Sequence, residues 1–226
     1  MAVGLDVRAG GVDSVRRARR VDRMLAREYP DARCALNFEN PFELLVATVL
    51  SALCTVVKVN LVSPELFGSF PGPEALAAAD PSAVEEIIKP LGLFRNKARS
   101  IVGAAREICD KFGGRVPDRM DDLVTLPRVG RKTANVVLGN AFGVPGIAVD
   151  THVARVSRRL GWTQAREPDR IEVDLMGLFP SSRWVGLTHR LIAHGRSCCR
   201  ARNPGCGECV VASLCPSVGN PSVGNR

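Results

Sequence analysis

Apolar residues recur at intervals of three and four positions along most of the chain. Near the N-terminus they fall at Val15, Ala18 and Val21, and much later at Val153 and Val156. This spacing is typical of one face of an α-helix, whereas the alternation expected of a half-buried strand is absent over any useful length. The pattern therefore predicts an all-α protein. Its helices are predicted to break at Pro or Gly sites, which lie at positions 29–30, 70–73, 113–114 and 144–146.

The longest uncharged run is LLVATVLSALCTVV, residues 44–57. It is shorter than the roughly 20 residues that a membrane-spanning helix needs, so it predicts a buried helix and no membrane partner. The N-terminal segment lacks an apolar stretch between a basic start and a cleavage site, so no signal peptide is predicted. We expect the chain in the cytoplasm, where reducing conditions argue against disulfide bonds.

Composition allows a substantial core and suggests a charged partner. With 226 residues, 46% of them hydrophobic and 24% charged, the chain can form one domain or two small ones. Its 31 Lys and Arg residues exceed its 23 Asp and Glu residues, which gives a formal net charge of +8. That excess favours a polyanionic partner such as nucleic acid, without proving one.

Five of the eight cysteines lie close together near the C-terminus. Cys199, Cys206, Cys209 and Cys215 are separated by six, two and five residues, and a short loop that gathers four thiolates usually holds a metal centre. Only one C-x-x-C pair is present, so the spacing leaves both structural zinc and a [4Fe-4S] cluster open. Cys198 is an additional neighbour that could replace the first ligand.

The segment DDLVTLPRVGRKTANVVLGNAF, residues 121–142, predicts a helix, a tight Pro/Gly turn and a second helix that begins near Arg131. Such a unit is a helix-hairpin-helix. Lys132 falls in the first turn, opposite the apolar face of the second helix. The unpaired N–H groups and positive dipole of a helix start suit a phosphate, and they also disfavour the ammonium form of Lys132. Lys132 is therefore either a nucleophile or a solvated contact to DNA.

A further helix is predicted to begin at Asp150 or Thr151, in the stretch GIAVDTHVARVSRRLG. Asp150 is suited to be its N-cap, and an N-cap carboxylate can also take part in catalysis. The same helix carries three arginines, which we expect to add positive charge near a bound duplex. These arginines are Arg155, Arg158 and Arg159.

Three motifs in this order, LPRVGRKTANVV, AVDTHVARV and HGR followed by the four spaced cysteines, resemble the endonuclease III family of DNA glycosylases. The family lies within the helix-hairpin-helix Gly/Pro/Asp superfamily. The resemblance covers about Leu36 to Cys215 and implies a two-lobed all-α fold with a [4Fe-4S] cluster, so zinc becomes the minor alternative. It implies a helical barrel module at 34–144 and a second module of 1–33 with 145–226. The repeated PSVGN unit makes 216–226 a predicted mobile tail.

The same resemblance implies a base-excision-repair glycosylase with abasic-site lyase activity on oxidised pyrimidines. Lys132 matches the Schiff-base lysine, and Asp150 matches the catalytic aspartate. The implied partner is double-stranded DNA with a damaged pyrimidine or an abasic site, bound by a monomer in the nucleoid. Leu93, with neighbouring Leu91, matches the wedge that fills the space left in the base stack by the flipped nucleotide. The residues assigned to DNA binding are Leu53, Leu91, Leu93, Arg128, Val129, Gly130, Arg131, Thr133, His152, Arg200 and Arg202.

This sequence departs from the family pattern at three positions. Leu53 stands where the family usually has Gln, Val56 replaces an Asp, and Arg128 replaces a Gly of the hairpin. These departures favour an alternative from another class, a divergent paralogue that binds DNA or abasic sites with weak or no excision. An adenine-excising relative is a lesser alternative, because such relatives lack the lysine and carry a Glu where this chain has Val49.

Overall fold

The computed structural model describes residues 11–220, and every regular element in that range is helical. The chain divides into two compact units: Cys34–Val144 forms one, and the described residues on either side of it, 11–33 and 145–220, form the other. The α-helices of the described range are α1 Gly11–Glu28, α2 Pro41–Leu50, α3 Val56–Ser69, α4 Pro73–Ala77, α5 Pro81–Ile88, α6 Phe94–Phe112, α7 Met120–Leu123, α8 Arg131–Ala141, α9 Thr151–Arg159, α10 Pro168–Leu178 and α11 Trp184–Ser197.

Local sequence explains where these helices begin and end. Asn40 caps α2 by accepting a hydrogen bond from the Glu43 N–H at 3.0 Å, and Thr55 and Asp80 cap α3 and α5 in the same way. A proline follows the cap at the start of α2, α4, α5 and α10, where its missing N–H costs no helical bond. Gly113 ends α6 at a φ of +58°, a left-handed conformation that favours glycine.

In the unit Cys34–Val144, α4 and α5 pack on α6, and α2 packs on α8. The core is made of aliphatic side chains from these helices, including Leu44, Leu45, Ile101, Ile108 and Val137, all of them almost fully buried. Burial of such side chains supplies the main driving force for folding. The core therefore fixes α8, the helix that carries Lys132.

The uncharged run 44–57 is not one buried helix, as its composition predicted. The helix α2 ends at Leu50, residues 51–55 form a turn, and α3 begins at Val56. Leu53 lies in the turn at a φ of +56° with 91% of its surface exposed. Hydrophobicity alone does not distinguish a buried helix from a helix followed by an apolar turn, which explains the error.

In the other unit, α1 and α9 both pack on α11, and α10 packs on α1 and α9. Val21, Leu25, Val153 and Leu191 contribute to its apolar core. Asp22 is buried at the edge of this core. Its two carboxylate oxygens accept hydrogen bonds from a pair of arginines, at 2.7 Å from Arg183 and 2.9 Å from Arg190. This pairing compensates the cost of removing the carboxylate from water.

The predicted mobile tail was placed too early in the chain. Ser217 is buried, and the N–H of Asn220 donates to the Ser217 carbonyl at 3.0 Å. Pro216 also lies close to Gly161, whose Cβ position would be 3.1 Å from Pro216 Cγ. Pro216 and Ser217 thus contact this unit, residues 218–220 are exposed, and 221–226 lie outside the described residues. Within residues 11–220, no helix is both long enough and apolar enough to span a membrane.

Candidate functional site

The hairpin before α8 adopts a strained left-handed conformation at Arg128. Its φ is +62°, and its side chain is exposed. The turn is held by the Val129 N–H, which donates to the Leu126 carbonyl at 3.1 Å, while the Val129 side chain is buried. The hairpin therefore does require positive φ where the family usually has Gly, and Arg128 bears the strain of an L-residue there. The Val129 side chain belongs to the core, which corrects its assignment as a DNA contact.

Lys132 is exposed in the first turn of α8, as its position in the helical pattern predicted. Ala134, Val137 and Leu138 on the same helix are buried in the core of the unit. The N-cap residue is Gly130, which has no side chain to accept a hydrogen bond from the first turn. The helix start, with exposed Arg131 and half-buried Thr133 beside Lys132, thus suits an anionic ligand.

The loop before α6 separates the two leucines that were assigned together as a wedge. Leu91 is buried in the core, which corrects its assignment to DNA, whereas Leu93 is 60% exposed at a φ of +49°. Gly92 between them has a φ of +66° and turns the chain outward. Lys97 is also buried, and its Nζ donates to the Leu91 carbonyl at 3.3 Å. Burial lowers the pKa of Lys97 below its ordinary value.

Asp150 is the N-cap of α9 in the second unit. Its Oδ1 accepts a hydrogen bond from the Val153 N–H at 2.8 Å, and the residue is half-buried. His152, two residues later, is half-buried, and its Nδ1 lies 3.1 Å from Arg155 Nη2. Burial lowers the pKa of His152. The cap prediction is thus correct in the structure.

Two of the three arginines that were expected to add positive charge near DNA are buried and contact the cysteine loop. Arg155 and Arg159 are both buried, with 7% and 3% of their surface exposed. Arg155 donates to the Gly195 carbonyl at 2.8 Å and to the Cys199 carbonyl at 3.2 Å. Arg159 donates to the Arg200 carbonyl at 2.7 Å. The buried guanidinium groups thus satisfy their N–H donors with backbone carbonyls of α11 and of the cysteine loop.

Five thiols line one cavity in this unit: Cys198, Cys199, Cys206, Cys209 and Cys215. Apolar side chains such as Val156 and Val211 form part of its wall. All eight cysteines of the chain are free of disulfides. Several thiolate donors in an apolar pocket form the environment that holds iron–sulfur clusters, so the residues present fit such a group.

His194 is a functional candidate that sequence reasoning missed. It is 2% exposed and lines the same cavity, with Nε2 at 3.8 Å from Cys209 Sγ. Its Nδ1 lies 3.0 Å from the Tyr29 hydroxyl, which is also 2.9 Å from Ser197 Oγ. Burial lowers the pKa of His194 to about 4, whereas burial and the neighbouring Cys209 thiol raise the pKa of Cys198 to about 12. The available signal was the HGR motif directly before the cysteines.

The structure thus assigns the candidate residues to two units. The hairpin, Lys132 and exposed Leu53 and Leu93 belong to Cys34–Val144, whereas Asp150, His152 and the cysteines belong to the other unit. Arg200 and Arg202 are exposed on the cysteine loop.

Comparisons with known proteins agree with both parts of the site. Residues 46–181 match the HhH-GPD superfamily base excision DNA repair proteins, and residues 199–215 match the iron-sulfur binding domain of endonuclease III. The endonuclease III of Synechocystis sp. is 52% identical over 203 residues, which cover 89% of this chain and 93% of the relative. The Escherichia coli K12 enzyme is 41% identical over 186 residues, which cover 82% of this chain and 88% of the relative.

Solved structures show the same fold. An endonuclease III in a non-covalent complex with DNA has a TM-score of 0.87 and 43% identity, over 92% of this chain and 98% of that one. An endonuclease III trapped in a covalent intermediate with DNA has the same TM-score, identity and coverage. A thermostable thymine-DNA glycosylase at 22% identity, with a TM-score of 0.81, shares the fold.

Proposed function

The chain belongs to the endonuclease III family and is a base-excision-repair DNA glycosylase with abasic-site lyase activity; we propose that Lys132 and Asp150 carry out its chemistry on oxidised pyrimidines. The observation that carries this proposal is the exposed position of Lys132 in the first turn of α8, directly after the strained hairpin. An amine at this position can reach a sugar of DNA whose phosphate binds the helix start. A relative forms a trapped covalent intermediate with DNA, which a nucleophilic amine explains.

Lys132 acts as the nucleophile in this proposal. Its neutral amine attacks C1′ of a nucleotide that has been flipped out of the duplex, and the bond from C1′ to the damaged base breaks. The C1′–O4′ bond of the sugar then opens, with a proton delivered to O4′, and the resulting protonated imine acidifies the C2′ hydrogen. Loss of that proton then expels the 3′ phosphate by β-elimination, which gives both the glycosylase and the lyase activity from one amine.

Asp150 contributes a carboxylate whose position is fixed by its cap bond to the Val153 N–H. We assign it to stabilising the positive charge that develops on the sugar as the base leaves. A carboxylate can also relay the protons that the two steps require.

We propose DNA contacts only for residues of the assigned set that are at least partly accessible. Leu93 is the wedge, and exposed Leu53 occupies the space beside the unpaired partner base without hydrogen bonding to it. Arg128, Arg200 and Arg202 are exposed and bind phosphates in a manner that weakens with salt. The hairpin backbone at Gly130 and Arg131, together with Thr133 and His152, completes the contact set.

The protein carries a [4Fe-4S] cluster, and we propose Cys199, Cys206, Cys209 and Cys215 as its ligands. When bound, the cluster cross-links the loop and contributes folding free energy to the unit. Arg155 and Arg159 position that loop by donating to the carbonyls of Cys199 and Arg200. We further propose that the enzyme acts as a monomer in the cytoplasm, on the DNA of the nucleoid.

Borohydride trapping tests the assignment of Lys132. Purified protein is incubated with duplexes that contain thymine glycol, an abasic site or no damage, and borohydride reduces any imine to a stable covalent complex. We expect trapping with the first two duplexes and none with undamaged DNA. Lys132→Ala should abolish trapping while it retains DNA binding, whereas Lys111→Ala, which removes an exposed lysine from α6, should trap normally.

Two results would contradict the proposal. Trapping that persists in Lys132→Ala would identify another amine as the nucleophile. If the unaltered protein binds DNA but neither excises the base nor is trapped, the divergent paralogue is favoured instead. The argument for that alternative is the departure from the family pattern at Leu53, Val56 and Arg128.

A further inference from the structure

The cysteine cavity contains a second set of metal-binding groups besides the four proposed cluster ligands. Within residues 11–220, the ligand atoms of His194, Cys198 and Cys209 lie within 4.8 Å of one another. Cys209 belongs to both sets, whereas His194 and Cys198 have no role in the cluster as assigned above. One imidazole and two thiols grouped this closely can bind a single metal ion. Four thiolates that hold an iron–sulfur cluster instead bind several iron atoms.

The separations suit a single tetrahedral ion. Cys209 Sγ lies 3.8 Å from His194 Nε2. In a tetrahedral zinc site, a sulfur and a nitrogen ligand are about 3.6 Å apart, as follows from Zn–S and Zn–N bonds of about 2.3 and 2.1 Å. Two thiolates and an imidazole are among the preferred zinc ligands, and a water molecule can fill the fourth position. The separations of Cys198 Sγ from the other two ligand atoms are each within 4.8 Å.

The surrounding residues hold two of the three donors in place. The Cys198 thiol donates to the Gly205 carbonyl at 3.3 Å, and the Gly205 N–H donates to the Cys198 carbonyl at 2.9 Å. His194 is oriented by the Tyr29 hydroxyl on Nδ1, which leaves Nε2 directed at Cys209. A histidine that binds metal through one ring nitrogen usually donates its other N–H to a second group, and the Tyr29 hydroxyl oxygen can accept that hydrogen bond from Nδ1.

We propose that the chain, when it lacks its cluster, binds one zinc ion through His194 Nε2, Cys198 Sγ and Cys209 Sγ. Binding releases the protons of the two thiols and leaves Cys199, Cys206 and Cys215 unligated. Zinc and the cluster exclude each other because both require Cys209. The zinc form keeps the cysteine loop folded until the cluster is inserted, and this role is independent of the base-excision chemistry.

The test uses the full chain produced in iron-depleted, zinc-supplemented medium. Metal analysis of the purified chain should show about one zinc per chain, and X-ray absorption at the zinc edge should show two sulfur and two nitrogen or oxygen ligands. Cys198→Ser should remove one sulfur from this shell and weaken zinc binding by more than the roughly 10- to 100-fold that loss of an outer contact costs. The same variant, produced with iron, should retain the visible absorbance of the cluster.

Cys199→Ser is the matched control with the opposite expectation. It should prevent cluster assembly and leave the zinc shell and zinc affinity unchanged. Tyr29→Phe, which removes only the hydroxyl on Nδ1, should weaken zinc binding while keeping two sulfur ligands, so the site remains testable without altering a ligand. A shell of four sulfurs that loses one in Cys199→Ser would overturn the proposal, as would a folded iron-free chain that retains no zinc.

Discussion

Arg159 Nη1 lies 3.4 Å from Cys199 Sγ, at the opposite end of α9 from Asp150. The helix that begins at the proposed catalytic carboxylate therefore ends at the loop that carries the proposed cluster ligands. The guanidinium also donates to the carbonyls of Arg200 and Ala201, at 2.7 and 3.1 Å. Helix and loop are thus tied together by several hydrogen bonds from one buried charge, each stronger than a bond between neutral groups.

Arg159→Met should therefore loosen the cysteine loop while it retains the apolar volume of the side chain. We expect the cluster absorbance to be lost at lower urea concentration, with a cost of about 1.5–3 kcal/mol, typical of hydrogen bonds from a charged donor. Arg159→Lys should show a partial loss, because an ammonium cannot reproduce the planar fork. Arg202→Met is the control: this exposed residue of the same loop should affect DNA affinity and leave cluster retention unchanged.

Substitutions at Asp150 can separate its cap from its proposed chemistry. Asn is as good an N-cap as Asp, so Asp150→Asn should unfold at nearly the same urea concentration and yet excise thymine glycol far more slowly. Asp150→Ala should lose the same activity and in addition about 1 kcal/mol of stability. Single-turnover rates and urea unfolding, measured on both variants, distinguish these effects. Normal excision by Asp150→Asn would show that the carboxylate charge is not needed.

The helices were predictable because their boundaries rest on local chemistry. The break before α4 lies at a Pro-Gly-Pro segment, α6 ends at Gly113, and α9 begins after Asp150, each of which limits the backbone within a few residues. The burial of Ala134, Val137 and Leu138 also follows from their spacing, which leaves Lys132 exposed. These features depend on neighbours along the chain, which the sequence displays directly.

The errors occurred where tertiary packing determines the environment. Arg155 and Arg159 were expected to add positive charge near DNA, whereas they are buried and donate to carbonyls 40 and 41 positions away along the chain. Leu91 and Leu93 are two residues apart, and only the turn between them makes one a core residue and the other exposed. The network around His194 joins residues more than 160 positions apart, so no local pattern indicated it.

Leu53 provides a test of how the opposite base is recognised. A leucine can fill the gap left by the flipped nucleotide but cannot form hydrogen bonds, so discrimination among opposite bases should be shallow. Leu53→Gln should accelerate excision of thymine glycol and steepen the dependence on the opposite base by about 1 kcal/mol, the net contribution of a typical hydrogen bond. The measurement is the single-turnover rate with each of the four bases opposite the lesion.

A matched variant controls for the unusual backbone at this position. Leu53→Asn tolerates the left-handed conformation and carries a shorter amide that reaches less far than Gln. It should not steepen the opposite-base dependence as Leu53→Gln does. If Leu53→Gln leaves both the rate and the preference unchanged, Leu53 does not contact the gap, and its exposure has another cause.

Arg128 should affect stability and DNA binding in opposite directions. Its φ of +62° is unfavourable for an L-residue by about 1–2 kcal/mol, and glycine avoids that strain at the cost of a more flexible unfolded chain. Arg128→Gly should therefore raise the free energy of unfolding, by a net of about 0.5–1 kcal/mol. The same change removes a phosphate contact, so affinity for duplex DNA should fall. The slope of log affinity against log salt concentration should become shallower by about 1, the contribution of one phosphate contact.

Arg128→Asn separates the effect of strain from the effect of charge, because Asn tolerates left-handed backbone but lacks the charge. Its DNA affinity should match that of Arg128→Gly. Unchanged affinity and salt dependence in both variants would show that Arg128 does not reach a phosphate, and its strain would then be without a binding role.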